Sequence, residues 1–108
     1  MSVGVNTISF QGQVLTLKPL RYTPAGIAVS ELTLQHQSVV EQAGIQRQLS
    51  FEIDAIAMGD IAAVLSGVSE GSFLSVVGFL APLHKSSSRL VLHIQRLQNQ
   101  SAPPTALV

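Results

Sequence analysis

The sequence predicts an all-β chain, a five-stranded Greek-key barrel with one short helix between its third and fourth strands. Three observations predict it. Apolar and polar residues alternate with a period of two along most of the chain, as half-buried strands require. One segment, near residues 60–66, changes to helical spacing. Clusters of Gly, Pro, Ser and Asn separate these runs at short intervals. The 108 residues amount to one domain, and 46% apolar content supplies a modest core.

Residues 8–17 read as the first strand, with Ile8 and Phe10 alternating with polar neighbours. Gly12 interrupts the run and predicts a bulge or a sharp bend. Residues 18–26 hold two prolines and end in Gly, a loop carrying Lys18, Arg21 and Tyr22. Residues 27–38 form the second strand. Leu32, Leu34 and His36 share one face there, and Val29 is out of phase, so a bulge near Ser30 is expected. Residues 39–44 read as a hairpin loop closing on Gly44. In the third strand, residues 45–56, Ile45, Arg47, Leu49, Phe51 and Ile53 share one face, against Gln46, Gln48, Ser50, Glu52 and Asp54.

Asp60 is the expected N-cap of the helix and Gly67 its stop, with Ile61, Val64 and Leu65 at helical spacing. The fourth strand, residues 72–83, has Phe73, Val77 and Phe79 on one face and Leu74, Val76 and Leu80 on the other. Because it is apolar on both sides, one side is expected to meet a partner subunit. A turn over residues 82–88 leads to the last strand, residues 89–97. The domain is therefore drawn as residues 1–98, and residues 99–108, NQSAPPTALV, as a disordered tail. Three strands, a helix and two strands, in that order, match the OB fold. An SH3-like barrel or a small sandwich has a similar strand count, but the helix after strand three favours OB.

Composition narrows the function classes. There is no cysteine, so disulfides and thiolate metal sites are excluded. The first residues carry no signal-peptide pattern, and no apolar run is long enough to span a membrane. A cytoplasmic protein is expected, and the Asn99-Gln100-Ser101 sequon reads as chance. Six basic and six acidic residues give zero net charge, which counts against strong nucleic-acid binding.

No catalytic constellation stands up. Gly67-Val68-Ser69-Glu70-Gly71 fits the nucleophile-elbow pattern, but that motif needs a strand before it and a helix after it, and here the order is reversed. His36, His84 and His93 lie on separate elements without ligand spacing, so no metal is expected. Glu52 and Asp54 lie on the polar face of a strand and read as solvated. No phosphate loop is present. The expectation is a binding protein, not an enzyme, with no cofactor.

An OB barrel binds across its second and third strands, flanked by the loops joining strands one to two and four to five. Single-stranded nucleic acid needs cations for phosphates and flat rings for bases. The first loop offers Lys18, Arg21 and Tyr22. The third strand offers Arg47 and Phe51, and the last loop His84, Lys85 and Arg89. Five of the six cations thus fall on elements expected near one face.

Several collinear segments carry a family resemblance. They are Pro19-Leu20-Arg21, Pro24-x-Gly26-Ile27, and His36-x-Ser38-Val39-x-Glu41-x-Ala43-Gly44 followed by Arg47-Gln48. Gly78-Phe79, His84-Lys85 and Leu90-Val91-Leu92-His93 continue the series. Together they resemble bacterial primosomal replication protein N, the PriB family. The resemblance implies a homodimeric OB fold related to single-stranded DNA-binding protein. It also implies a role in replication restart, binding single-stranded DNA and the primosomal helicase PriA with other primosome proteins. The sequence departs from the family pattern at Ser50, where a Trp is expected, at Ile45 in place of an aromatic residue, and at Gln37 in place of a cation. The loop between strands four and five is also short. Weaker DNA binding than the family norm follows, since each lost ring removes about 1–3 kcal/mol of stacking. A protein-interaction module without DNA contact is the alternative. General strand coating fits less well, because the last ten residues carry no acid.

Overall fold

The computed structural model describes residues 3–101. Its elements are β1 (Ile8–Leu17), β2 (Arg21–Tyr22), β3 (Ala28–Gln42), β4 (Ile45–Met58), α1 (Asp60–Ser66), β5 (Phe73–Pro82) and β6 (Leu90–Ser101). The order across the sheet is β1-β5-β6-β4-β3-β2, and β1 pairs with β3 as well. That second pairing closes a five-stranded barrel with α1 between β4 and β5, as expected for an OB fold. The added β2 is a two-residue strap, Arg21 opposite Val29 and Tyr22 opposite Ala28, inside the segment read as loop.

β1 closes the barrel by changing partners. Residues 8–13 pair with β5 and residues 13–17 with β3. Gly12 stands at the change, and a Cβ there would lie 3.0 Å from Leu34 Cβ and 3.2 Å from the Gln35 carbonyl oxygen. The bend expected at Gly12 is present, and the bulge follows at Leu15, between Val14 and Thr16.

No bulge forms near Ser30. β3 pairs with β4 without interruption from Val29–Met58 to Gln42–Ile45. Val29 is out of phase because both faces are covered at this end. It is buried with Ile56 and Val91 in a second, smaller cluster, while Leu32 and Leu34 enter the main core. The hairpin also runs longer than the sequence suggested. Only Ala43 and Gly44 form the turn, with φ of 54° and 76°, the positive values a two-residue primed turn needs.

The main core gathers Val14, Leu32, Leu34, Leu74, Val76 and Leu92 from the barrel wall with Ala62 and Leu65 of α1. The helix plugs one end. Its N-cap is Gly59, not Asp60: Gly59 has φ 81°, a conformation that glycine takes without strain. Asp60 sits in the first turn, where an acid favours the helix dipole. Val64 faces solvent. On β5 the two faces are as expected, but the outward one is largely satisfied within the chain. Val77 is buried, and Phe79 stacks on His93 at 4.9 Å. β6 continues to Ser101, so the boundary drawn at residue 98 falls inside a strand. Residues 102–108 lie outside the described residues.

Candidate nucleic-acid interface

Alternation decides which side chains share the outer face of β3 and β4. Cross-strand partners place Glu31 beside Ile56, Thr33 beside Asp54, Gln35 beside Glu52 and Gln37 beside Ser50. The segment between β1 and β3 borders this face on one side, and residues 83–89 on the other. Between them runs a groove of about 160 Å³ lined by Thr16, Lys18, Glu31, Thr33, Asp54 and Leu83 over Ile56 and Val91.

The cations around this groove are mostly engaged. Arg21 donates to Glu31 Oε2 from Nε at 3.2 Å and from Nη2 at 3.0 Å. Arg89 donates to Asp54, which also accepts from Thr33 Oγ1 at 3.3 Å. Asp54 is therefore an ion-pair partner and not simply solvated. Lys18 lines the groove without a carboxylate of its own among the described residues. His84 and Lys85 are exposed on the last loop, which is tightened by the Ser87 N–H donating to the His84 carbonyl at 3.0 Å. Tyr22 is exposed on β2, at the edge of β3.

Arg47 and Phe51 do not join that face. Both stand on the opposite side of β4, where the long hairpin continues the barrel's interior surface beyond its open end. The expectation that five cations gather on one face is corrected accordingly. Alternation puts Arg47 on the same side as Phe51 and Ile53, away from Glu52 and Asp54. Arg47 donates to Gln42 across the hairpin.

Phe51 belongs to an aromatic cluster that the sequence did not reveal. His36 stacks on Phe10 with ring centroids 4.3 Å apart and lies 5.0 Å from Phe51. The His36 ring is fixed by the Gln11 carbonyl, 2.6 Å from Nδ1, and by Ser38 Oγ, 2.9 Å from Nε2. A carbonyl can only accept, so Nδ1 carries a proton in this arrangement. The period-two pattern showed His36 and Phe51 each on an apolar face. It could not show that β1 brings Phe10 against His36, which then stands between the two phenylalanine rings. Ser69, from the serine motif, lies in the turn between α1 and β5 and accepts from the Ser72 N–H at 3.1 Å.

Comparison with known proteins bears on this arrangement. Residues 6–96 match the model of a family described as another single-strand binding protein family. The chain is 40% identical over 92 residues to replication restart protein PriB of Bordetella pertussis, covering 85% of this chain and 86% of that one. It is 37% identical to the protein of the same name from Nitrosomonas europaea, covering 87% of each. Among solved structures, the PriB protein from Ralstonia solanacearum superposes with a TM-score of 0.80 at 34% identity, covering 88% of this chain and 97% of that one.

Proposed function

The chain belongs to a single-strand binding protein family and, within it, to the replication restart proteins PriB, and from that premise we propose an accessory role in replication restart. In this reading the protein binds single-stranded DNA weakly and engages the primosomal helicase PriA and other primosome proteins as a cytoplasmic homodimer. It acts by binding, without a cofactor or a catalytic group.

One observation carries the weak-binding part. Two of the four cations that flank the outer face of β3 and β4, Arg21 and Arg89, are neutralised by Glu31 and Asp54 of that same face. Single-strand affinity rises with the number of cations free to displace counterions. Lys18 and Lys85 on this side, and Arg47 on the hairpin, remain without a carboxylate partner among the described residues. These three, with Tyr22, His84 and Phe51 as ring or polar contacts, are the groups proposed to meet DNA. Arg21 and Arg89 join them only if their ion pairs open.

The same observation favours a second reading. A surface of paired charges beside an apolar floor suits a protein partner better than a polyanion. Copurification of the helicase with this chain after nuclease treatment separates the two. Complexes that survive nuclease support direct docking on the barrel, and complexes that vanish point to bridging by DNA. The homodimer is supported by β1. Residues 8–12 pair with β5 on one edge, and β3 joins the other edge only from Gln13. Light scattering at micromolar concentration should return twice the chain mass, and a monomer would contradict it.

A further inference from the structure

We infer that His36 caps the open edge of β1: its ring competes with a second copy of the chain for the Gln11 carbonyl, and so sets how tightly two copies pair. The inference rests on the homodimer reading above and deepens it. The phase of β1 fixes which backbone groups face that edge. The Val14 N–H donates to the Ser72 carbonyl at 2.9 Å. Backbone groups alternate in direction along an antiparallel ladder. Those of Gly12, Phe10 and Ile8 therefore turn to their β5 partners Leu74, Val76 and Gly78. Those of Ser9 and Gln11 turn the other way, to the edge that β3 joins only from Gln13. An antiparallel strand laid along residues 8–12 needs the N–H and C=O groups of Ser9 and Gln11. When two copies pair about Phe10, the Ser9 N–H of each donates to the Gln11 carbonyl of the other.

That carbonyl is already engaged within the chain. Gln35 is the last β3 residue opposite β1, where it faces Gln13. The next residue, His36, sends its ring back to the edge, with Nδ1 2.6 Å from the Gln11 carbonyl oxygen. Nδ1 donates there, so in the neutral ring Nε2 accepts from the Ser38 hydroxyl, 2.9 Å away. Phe10 stacks on the ring at 4.3 Å and Phe51 lies 5.0 Å from it. Two hydrogen bonds and two aromatic neighbours thus hold the cap in place.

The ring comes from β3, the strand that occupies this same edge from Gln13 onward. It therefore reaches the carbonyl from the side on which a second strand enters. A bare strand edge is a template for unwanted pairing, and proteins blunt such edges by covering them. His36 does so with one side chain, at the acceptor that the dimer needs. Pairing of two copies turns both rings off their carbonyls, so the cap opposes the dimer without preventing it.

The test is the dimer dissociation constant of the full chain, read by sedimentation of fluorescently labelled protein across a dilution series. His36→Phe keeps a ring between Phe10 and Phe51 and removes the donor, and it should tighten the dimer about tenfold. Ser38→Ala frees Nε2 without touching the edge, and it should tighten the dimer about threefold. Added to His36→Phe, it should change nothing further, because Ser38 acts through the ring. A mere loss of packing would weaken the dimer instead. If His36→Phe fails to fold, Ser38→Ala decides by the same reading. Unchanged or weaker pairing in the variants overturns the cap and leaves the homodimer reading standing. A wild type that stays monomeric while the variants pair supports the cap. Monomers throughout overturn both.

Discussion

Arg21 on the strap β2 points both its Nε and its Nη2 at one oxygen of Glu31 on β3, at 3.2 and 3.0 Å. The loop cation and the strand acid cancel on the face where an OB barrel binds its ligand. Arg89 and Asp54 repeat the arrangement from the opposite loop. Both pairs are partly exposed, so they contribute little to stability, about 0–1 kcal/mol each. Their consequence is for binding. Glu31→Gln with Asp54→Asn frees two cations without removing side-chain volume. Single-strand affinity should rise, and the slope of log K against log salt should steepen by about 1.4. Anisotropy titrations at several salt concentrations check this.

Ser30 is fully buried, and its hydroxyl has no hydrogen-bond partner among the described residues. An unmet buried hydroxyl costs about 1–3 kcal/mol. Ser30→Ala should therefore stabilise the barrel by about 1 kcal/mol. For a domain of this size, the thermal midpoint should move upward by several degrees. Differential scanning calorimetry reads the shift directly.

Gly78 is required by how closely β5 and β6 approach. A Cβ there would sit 1.9 Å from the His93 carbonyl oxygen, a backbone atom with no freedom to swing aside. The pairing already shifts register between Val77 and Gly78. Gly78→Ala should cost about 3 kcal/mol or more, seen as a lower urea midpoint or as failure to fold.

Ala43 holds φ 54° in the hairpin turn, next to Gly44 at 76°. Left-handed backbone costs an ordinary L-residue about 1–2 kcal/mol, and Asn tolerates it better. Ala43→Asn should stabilise the hairpin by about 0.5–1 kcal/mol, measured by urea unfolding.

The barrel was legible because period-two alternation and one break to helical spacing are local signals. Ile8 and Phe10, then Leu32 and Leu34, then Phe51 and Ile53 mark their faces without help from tertiary contacts. The hairpin length was not legible: Val39 to Gln42 are exposed strand residues beyond the barrel, and two adjacent valines followed by Glu and Gln give no alternation to mark them as strand. Val29 suggested a bulge because alternation assumes one buried face, whereas Val91 of β6 packs beside it there. The candidate site was legible residue by residue but not as a surface. That Arg21 and Arg89 would meet Glu31 and Asp54 depends on pairings between distant segments. The stacking of Phe10 on His36 and the closeness of Phe73 to Gln13 depend on β1 changing partners at Gly12.

The salt dependence of single-stranded DNA binding tests the central claim most directly. The three cations of the candidate site without carboxylate partners among the described residues, Lys18, Arg47 and Lys85, each displacing counterions from a single strand, predict weak binding with a slope of about −2 per protomer engaged. A slope near that value at low micromolar or weaker affinity is the expected result. No binding even at the lowest salt would contradict the claim and move the function of this barrel to its protein partners.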